Sequence, residues 1–247
     1  MVNILLAGIP VEFDNRFPEL AGLCRGFETD LPPALSIRVS DRELEEERSK
    51  QAEVFSDGYL ETVCCYRKAA LALLDRDIFV MHGSVVELDG AGYAFLAPSG
   101  VGKTTQTRLW QRHFGSRLRV INGDKPLIRM VHDGASVRFL AYGTPWRGKE
   151  GLGCNAAAEL KAIFFLNRSS VPSAEPASQE QKVDLLFRQL LMPAQPERML
   201  RLLTMADGLV STVPFYMLHC DMTERSVLCA YQEAAAHGTP EIDKMHG

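Results

Sequence analysis

No cationic segment opens this sequence, and no apolar stretch approaches the length of a membrane span. The run in MVNILLAGIPVEFD is cut by Pro10, Glu12 and Asp14, whereas about 20 apolar residues are needed to cross a bilayer. Neither a secretory leader nor a membrane partner is expected. Charge of one sign is also scarce: a net charge of −4 over 247 residues provides no general field for nucleic acid, so anion binding has to be local. The six cysteines, Cys24, Cys64, Cys65, Cys154, Cys220 and Cys229, contain no CxxC pair. They read as reduced, buried thiols of a cytoplasmic protein rather than as a zinc or disulfide framework. No repeat or low-complexity tract is visible, which excludes a solenoid or linker-like chain.

What is present is an ordinary globular composition, 46% hydrophobic and 23% charged, enough for one α/β domain with a small annex. Residues 1–55 read as the annex: strand-like NILLAGIPVEF and ALSIRVS, then a solvated helix over Asp41 to Lys50. Residues 56–247 read as the main domain. It begins with a helix from Gly58 to Asp75 whose apolar positions recur at helical spacing. IFVMHGSVVEL and AGYAFLAP are two strand-like runs joined by Asp89-Gly90, a dipeptide suited to a two-residue hairpin. With Leu88 opposite Ala91, paired positions sum to 179 and His82 falls opposite Ala97.

A helix over Lys103–Phe114, a strand LRVING, a hairpin PLIRMV/SVRFLAYG and a strand LKAIFFL follow. Next comes a helix with a Ser178/Gln181 capping box, Val183, Leu186, Phe187, Leu190 and Leu191 as its core stripe, and Pro193 as its stop. A helix from Pro196 to about Leu209, a strand PFYMLHC and a helix from Thr223 to Ala236 complete the pattern, with Gly238 and Pro240 beyond. Met192, Met199, Met205 and Met217 read as core residues.

The chemistry concentrates at Ala97-Pro98-Ser99-Gly100-Val101-Gly102-Lys103-Thr104-Thr105. This is GxxxxGK[ST] with Ala97 at the first glycine, preceded by a strand and followed by a helix. Glycines at 100 and 102 let successive N–H groups turn inward around phosphate oxygens, and the helix N-terminus adds a positive dipole. Lys103 can reach the terminal phosphates, and the Thr104 hydroxyl can ligate Mg²⁺. Pro98 through Thr105 are therefore the expected nucleotide-binding residues.

HGSVVELDGAGYAFLAPSGVGKTT resembles the HPr kinase/phosphorylase family and, more distantly, ATP-dependent phosphoenolpyruvate carboxykinases. The likeness spans His82 to Asp124. It implies an α/β P-loop fold with a mixed sheet flanked by helices, ATP or another phosphoryl donor with Mg²⁺, and a kinase activity. It also implies that His82 lies near the transferred phosphoryl group and that Asp124 is metal ligand or catalytic base. The sequence departs from the family's paired aspartates, reading Asn122-Gly123-Asp124-Lys125.

Lys125, Arg147 and Lys149 are further candidates for phosphate or substrate contact, the last two in a Gly-rich run from Tyr142 to Gly151 that reads either as a mobile flap or as a surface turn with solvated charges. The expected acceptor is a Ser/Thr hydroxyl of a protein or peptide. A small-molecule hydroxyl kinase and a non-catalytic nucleotide-gated binding protein stay open, as does a homo-oligomer.

Overall fold

The computed structural model describes residues 1–134 and 136–236; Gly238 and Pro240 lie outside them. In chain order the elements are β1 (Val2–Leu6), β2 (Ile9–Asp14), α1 (Pro18–Leu23), β3 (Leu35–Arg38), α2 (Asp41–Ser49), α3 (Asp57–Leu73), β4 (Ile78–Val80), β5 (Ser84–Leu88), β6 (Ala91–Leu96), α4 (Lys103–Phe114), β7 (Leu118–Asn122), β8 (Leu127–Asp133), β9 (Ser136–Tyr142), β10 (Ala157–Arg168), β11 (Ser173–Pro176), α5 (Gln179–Phe187), α6 (Pro196–Thr212), β12 (Phe215–Cys220) and α7 (Glu224–Ala236).

The larger sheet is mixed and curled around β10. One edge of this 12-residue strand pairs antiparallel with β9 through Glu159 and then, from Ile163, parallel with β12. Its other edge pairs parallel with β6, with a register shift between Leu160 and Ala162. Such an irregularity bends a strand and lets one long strand serve two neighbours in succession. Alternation then divides the residues of β10. Phe164 packs with Trp110, Tyr216 and Val227 under α4 and α7, whereas Ile163 and Phe165 pack with Leu202, Met205 and Leu209 of α6. Burial on both faces explains the near-continuous apolar reading of this strand.

The N-terminal residues form a separate three-stranded sheet, β1-β2-β3. Its core is continuous with α3: Ile4, Val11, Phe13 and Ile37 cluster with Leu60, Cys65 and Leu73 across residue 55. Glu61, fully buried on α3, accepts N–H bonds from Arg16 (2.9 Å) and Phe17 (3.2 Å), fastening the two parts together.

Several sequence expectations change in detail. NILLAGIPVEF is a hairpin rather than one strand, turning at Ala7 and Gly8, both with positive φ. IFVMHGSVVEL is also two strands, since β4 pairs with β8 while β5 pairs with β6 and β7. The Asp89-Gly90 hairpin has the expected register, Leu88 opposite Ala91 through Ser84 opposite Phe95. That ladder ends before His82, which is not paired with Ala97; its N–H instead donates to Gln189 O at 2.8 Å.

Helix α5 stops at Phe187, well before Pro193, although its Ser178/Gln181 capping box is present. Leu190 forms an isolated antiparallel bridge with Met81, so Leu190 and Leu191 are not part of a helical stripe, and Val183 is exposed. Met192 is likewise exposed rather than core. Strand β11 carries no apolar alternation and escapes a sequence reading. In α2, Glu47 is buried and paired with Arg67, so the charged run is not wholly solvated.

Candidate functional site

Strand β6 delivers the chain from the core to the loop Ala97–Gly102, and α4 begins at Lys103. Gly100 has φ +80 and Gly102 φ +136, and a Cβ at either position would meet nothing within 4 Å. Glycine is demanded there by backbone conformation rather than by crowding. Lys103 is 9% exposed, and its Nζ donates to Ala97 O at 2.7 Å. Ala97 supplies that carbonyl without needing a positive φ, so the missing first glycine costs the loop nothing. Arg168, at the end of β10, donates to the carbonyls of Gly100 and Val101 and holds the loop from outside. No sequence pattern marked Arg168, because it meets the loop only through parallel pairing of β6 with β10.

The opposite wall comes from residues between strands of the larger sheet. His82 lies between β4 and β5, and Asp124 follows β7. His82 Nε2 is 3.2 Å from Asp124 Oδ1, and Lys125 Nζ is 3.8 Å from Asp124 Oδ2. The main chain supports this pair, as Gly83 N–H donates to Asp124 O at 3.0 Å. Burial raises the Asp124 carboxyl, but the His82 hydrogen bond and the nearby Lys125 and Lys103 outweigh it, and its pKa falls below the ordinary value. Burial lowers Lys103 and Lys125, against the pull of Asp124.

Asn122, two residues before Asp124, is fully buried. Its Nδ2 donates to Thr144 O (3.2 Å) and Oγ1 (3.0 Å), and its Oδ1 accepts from the N–H groups of Asp124 (2.8 Å) and Lys125 (2.7 Å). It is a strut for the turn rather than a second site carboxylate.

The loop, His82, Asp124 and Lys125 line one open cleft of 1140 Å³. Ser99, Gly100, Gly102, Lys103, Thr104, Thr105, Arg147 and Lys149 border it too; Pro98 and Val101 belong to the same loop without bordering the cleft. The run from Tyr142 to Gly151 is not free along its whole length. Thr144 is buried against Asn122, and Trp146, between Phe13 and Tyr66, donates Nε1–H to Thr62 O at 3.2 Å. Only the part from Gly148 onward is exposed.

Sequence reading missed the cleft's far side. Tyr59, Thr62, Val63, Tyr66 and Arg67 share one face of α3 at helical spacing, and Gln189 adds to the wall. Their pattern resembles any amphipathic helix until tertiary packing aims it at the cleft.

Among the described residues no group of three or more His, Cys, Asp or Glu could hold a metal ion, and no helix is long and apolar enough to cross a membrane. The hard oxygen donors bordering the loop include the Thr104 hydroxyl and the Asp124 carboxylate.

The fold and site define a mixed α/β protein with a glycine loop at a helix N-terminus, facing a His-Asp pair across a cleft. No protein-family model matches the chain, and no curated protein matches it. Among solved structures it is similar to the Hpr(Ser) kinase/phosphatase from Coxiella burnetii, at 10% identity and TM-score 0.31, over 64% of this chain and 99% of that one. A superposition this loose carries no functional argument.

Proposed function

We propose that the chain is a Mg²⁺-dependent kinase that transfers the γ-phosphoryl group of ATP to the hydroxyl of a protein or peptide. The observation that carries the reading is the meeting, in one cleft, of Lys103 and the glycine loop with the His82–Asp124 pair, 3.2 Å apart. A polyphosphate at the loop would receive backbone N–H groups, the α4 N-terminus and the Lys103 ammonium. Lys103 would exchange its bond to the Ala97 carbonyl for phosphate oxygens.

Asp124, held ionised by its surroundings, would accept the acceptor's hydroxyl proton. The acceptor oxygen then forms a bond to the γ-phosphorus, the bond to the bridging oxygen breaks, and ADP leaves. His82 orients Asp124 and stands where charge develops. Thr104 and Asp124 suit Mg²⁺, which binds through one or two protein oxygens plus phosphates and water and therefore needs no three-residue cluster. When bound, the ion would neutralise charge on the phosphates. The cleft exceeds the roughly 300–1,000 Å³ of ordinary single-ligand pockets, leaving room for two reactants.

A second reading, nucleotide-gated binding without chemistry, draws on Asn122, whose buried strut role leaves Asp124 without a second carboxylate. Incubation with labelled ATP, Mg²⁺ and cell extract, followed by mass spectrometry of the labelled product, tests the two. A labelled acceptor supports the kinase; ATP affinity with no product selects the binding protein. Absence of calorimetric heat with ATP and Mg²⁺ overturns both.

A further inference from the structure

Gln189 is 7% exposed and lines the cleft, yet its Oε1 has no hydrogen-bond partner. Among the described residues no bond to its Nε2 exists either. A buried amide left unpaired costs free energy, and an unpaired group in a site wall is a candidate for pairing with what binds there. Its main chain is fixed: Gln189 O accepts the N–H of His82 at 2.8 Å, and the next residue, Leu190, bridges Met81. The early end of α5 at Phe187 puts Gln189 in the turn that follows, one backbone bond from the His-Asp pair.

Facing the cleft with it are Tyr59, Thr62, Val63 and Tyr66 of α3. Burial and then the nearby Asp124 raise the pKa of Tyr66, keeping its hydroxyl protonated beside the carboxylate. The glycine loop forms a different part of the wall, so this surface is free for the second reactant.

We propose that Gln189 is a positioning residue for the acceptor, and that the acceptor hydroxyl is carried next to an amide. A carboxamide presents both a donor and an acceptor, the complement of a peptide group. The inference rests on the kinase reading above. The shared chemistry is a seryl or threonyl hydroxyl flanked by an amide, whether in a small N-acylated amino acid or in a peptide chain.

The test compares wild type with Gln189→Leu and Gln189→Glu, using N-acetylserine amide in one arm and a degenerate serine octapeptide library in the other. Michaelis constants for both arms, ATP affinity by calorimetry and melting temperature are measured. Gln189→Leu should raise the Michaelis constant of the arm that wild type uses by about tenfold or more, the scale of one hydrogen bond lost with its partner left unpaired. ATP affinity should stay within about twofold, and the arm that reacts distinguishes the free from the chain-borne amide.

Gln189→Glu, which keeps shape and acceptor but loses the donor, should give a smaller rise and decides the matter if the leucine variant does not fold. Unchanged Michaelis constants, or ATP affinity weakened in parallel with them, overturns the assignment of Gln189. Wild-type transfer to glycerol but to neither amide arm overturns the amide chemistry. Absence of ATP binding, or of transfer to any acceptor in these arms or in extract, is the separate failure of the kinase reading.

Discussion

The Asn122 side chain holds Asp124 from below, accepting its backbone N–H at 2.8 Å while donating to Thr144. A neutral, fully buried amide thus sets the position of the Asp124 backbone. Asn122→Asp should not add a useful carboxylate. It would set an anionic oxygen against the Thr144 carbonyl in a fully buried site, destabilising the fold by about 2–4 kcal/mol. Urea unfolding checks this; a variant as stable as wild type would contradict the strut role.

Lys103 bears on stability and on affinity in different ways. Burial lowers its pKa below 10.5, so the folded state disfavours its charge, and between the folded value and 10.5 stability should rise with pH. Lys103→Met removes this penalty together with the hydrogen bond to the Ala97 carbonyl, so its melting temperature without ligand should change little at neutral pH. The same variant should bind ATP about 10- to 100-fold more weakly, the range of a charge-assisted contact. Calorimetry and thermal melts read the two effects separately.

Asp124→Asn should lower phosphoryl transfer by about 10²–10⁴-fold, the range for a lost general base, while ATP still binds. Its pKa lies below the ordinary 3.8. The stability of the His82–Asp124 contact is therefore fully present above that value and lost as pH falls through the lower, folded-state pKa. Acid melts below about pH 4 should flatten in Asp124→Asn relative to wild type.

Arg168→Ala releases the carbonyls of Gly100 and Val101. Partial exposure discounts these bonds to about 1 kcal/mol. ATP affinity should then fall about fivefold, with little change in melting temperature; equal affinity would remove Arg168 from loop support.

Gly143 has no room for a side chain. A Cβ there would stand 1.8 Å from Cys154 O and 2.7 Å from Ile121 O, both backbone. Gly143→Ala should cost more than about 4 kcal/mol, visible as loss of cooperative unfolding or of soluble expression.

Local patterns already carried much of this molecule. The glycines, lysine and threonine of the loop, the Asp89-Gly90 turn, the Ser178/Gln181 cap and the apolar run of β10 are read from neighbours in the chain, because backbone conformation and periodicity are local properties. The long-range parts were not legible. His82 meets Asp124 because β4 and β5 part company between them, and Gln189 reaches the cleft because α5 ends where no proline or glycine stops it. Arg168 reaches the loop, and the α3 face reaches the cleft, only through strand pairing and helix packing across dozens of residues. Sequence by itself determined most of the helices and strands and the make-up of the loop; tertiary structure decided which side chains share the cleft, since those contacts depend on the packing of distant surfaces.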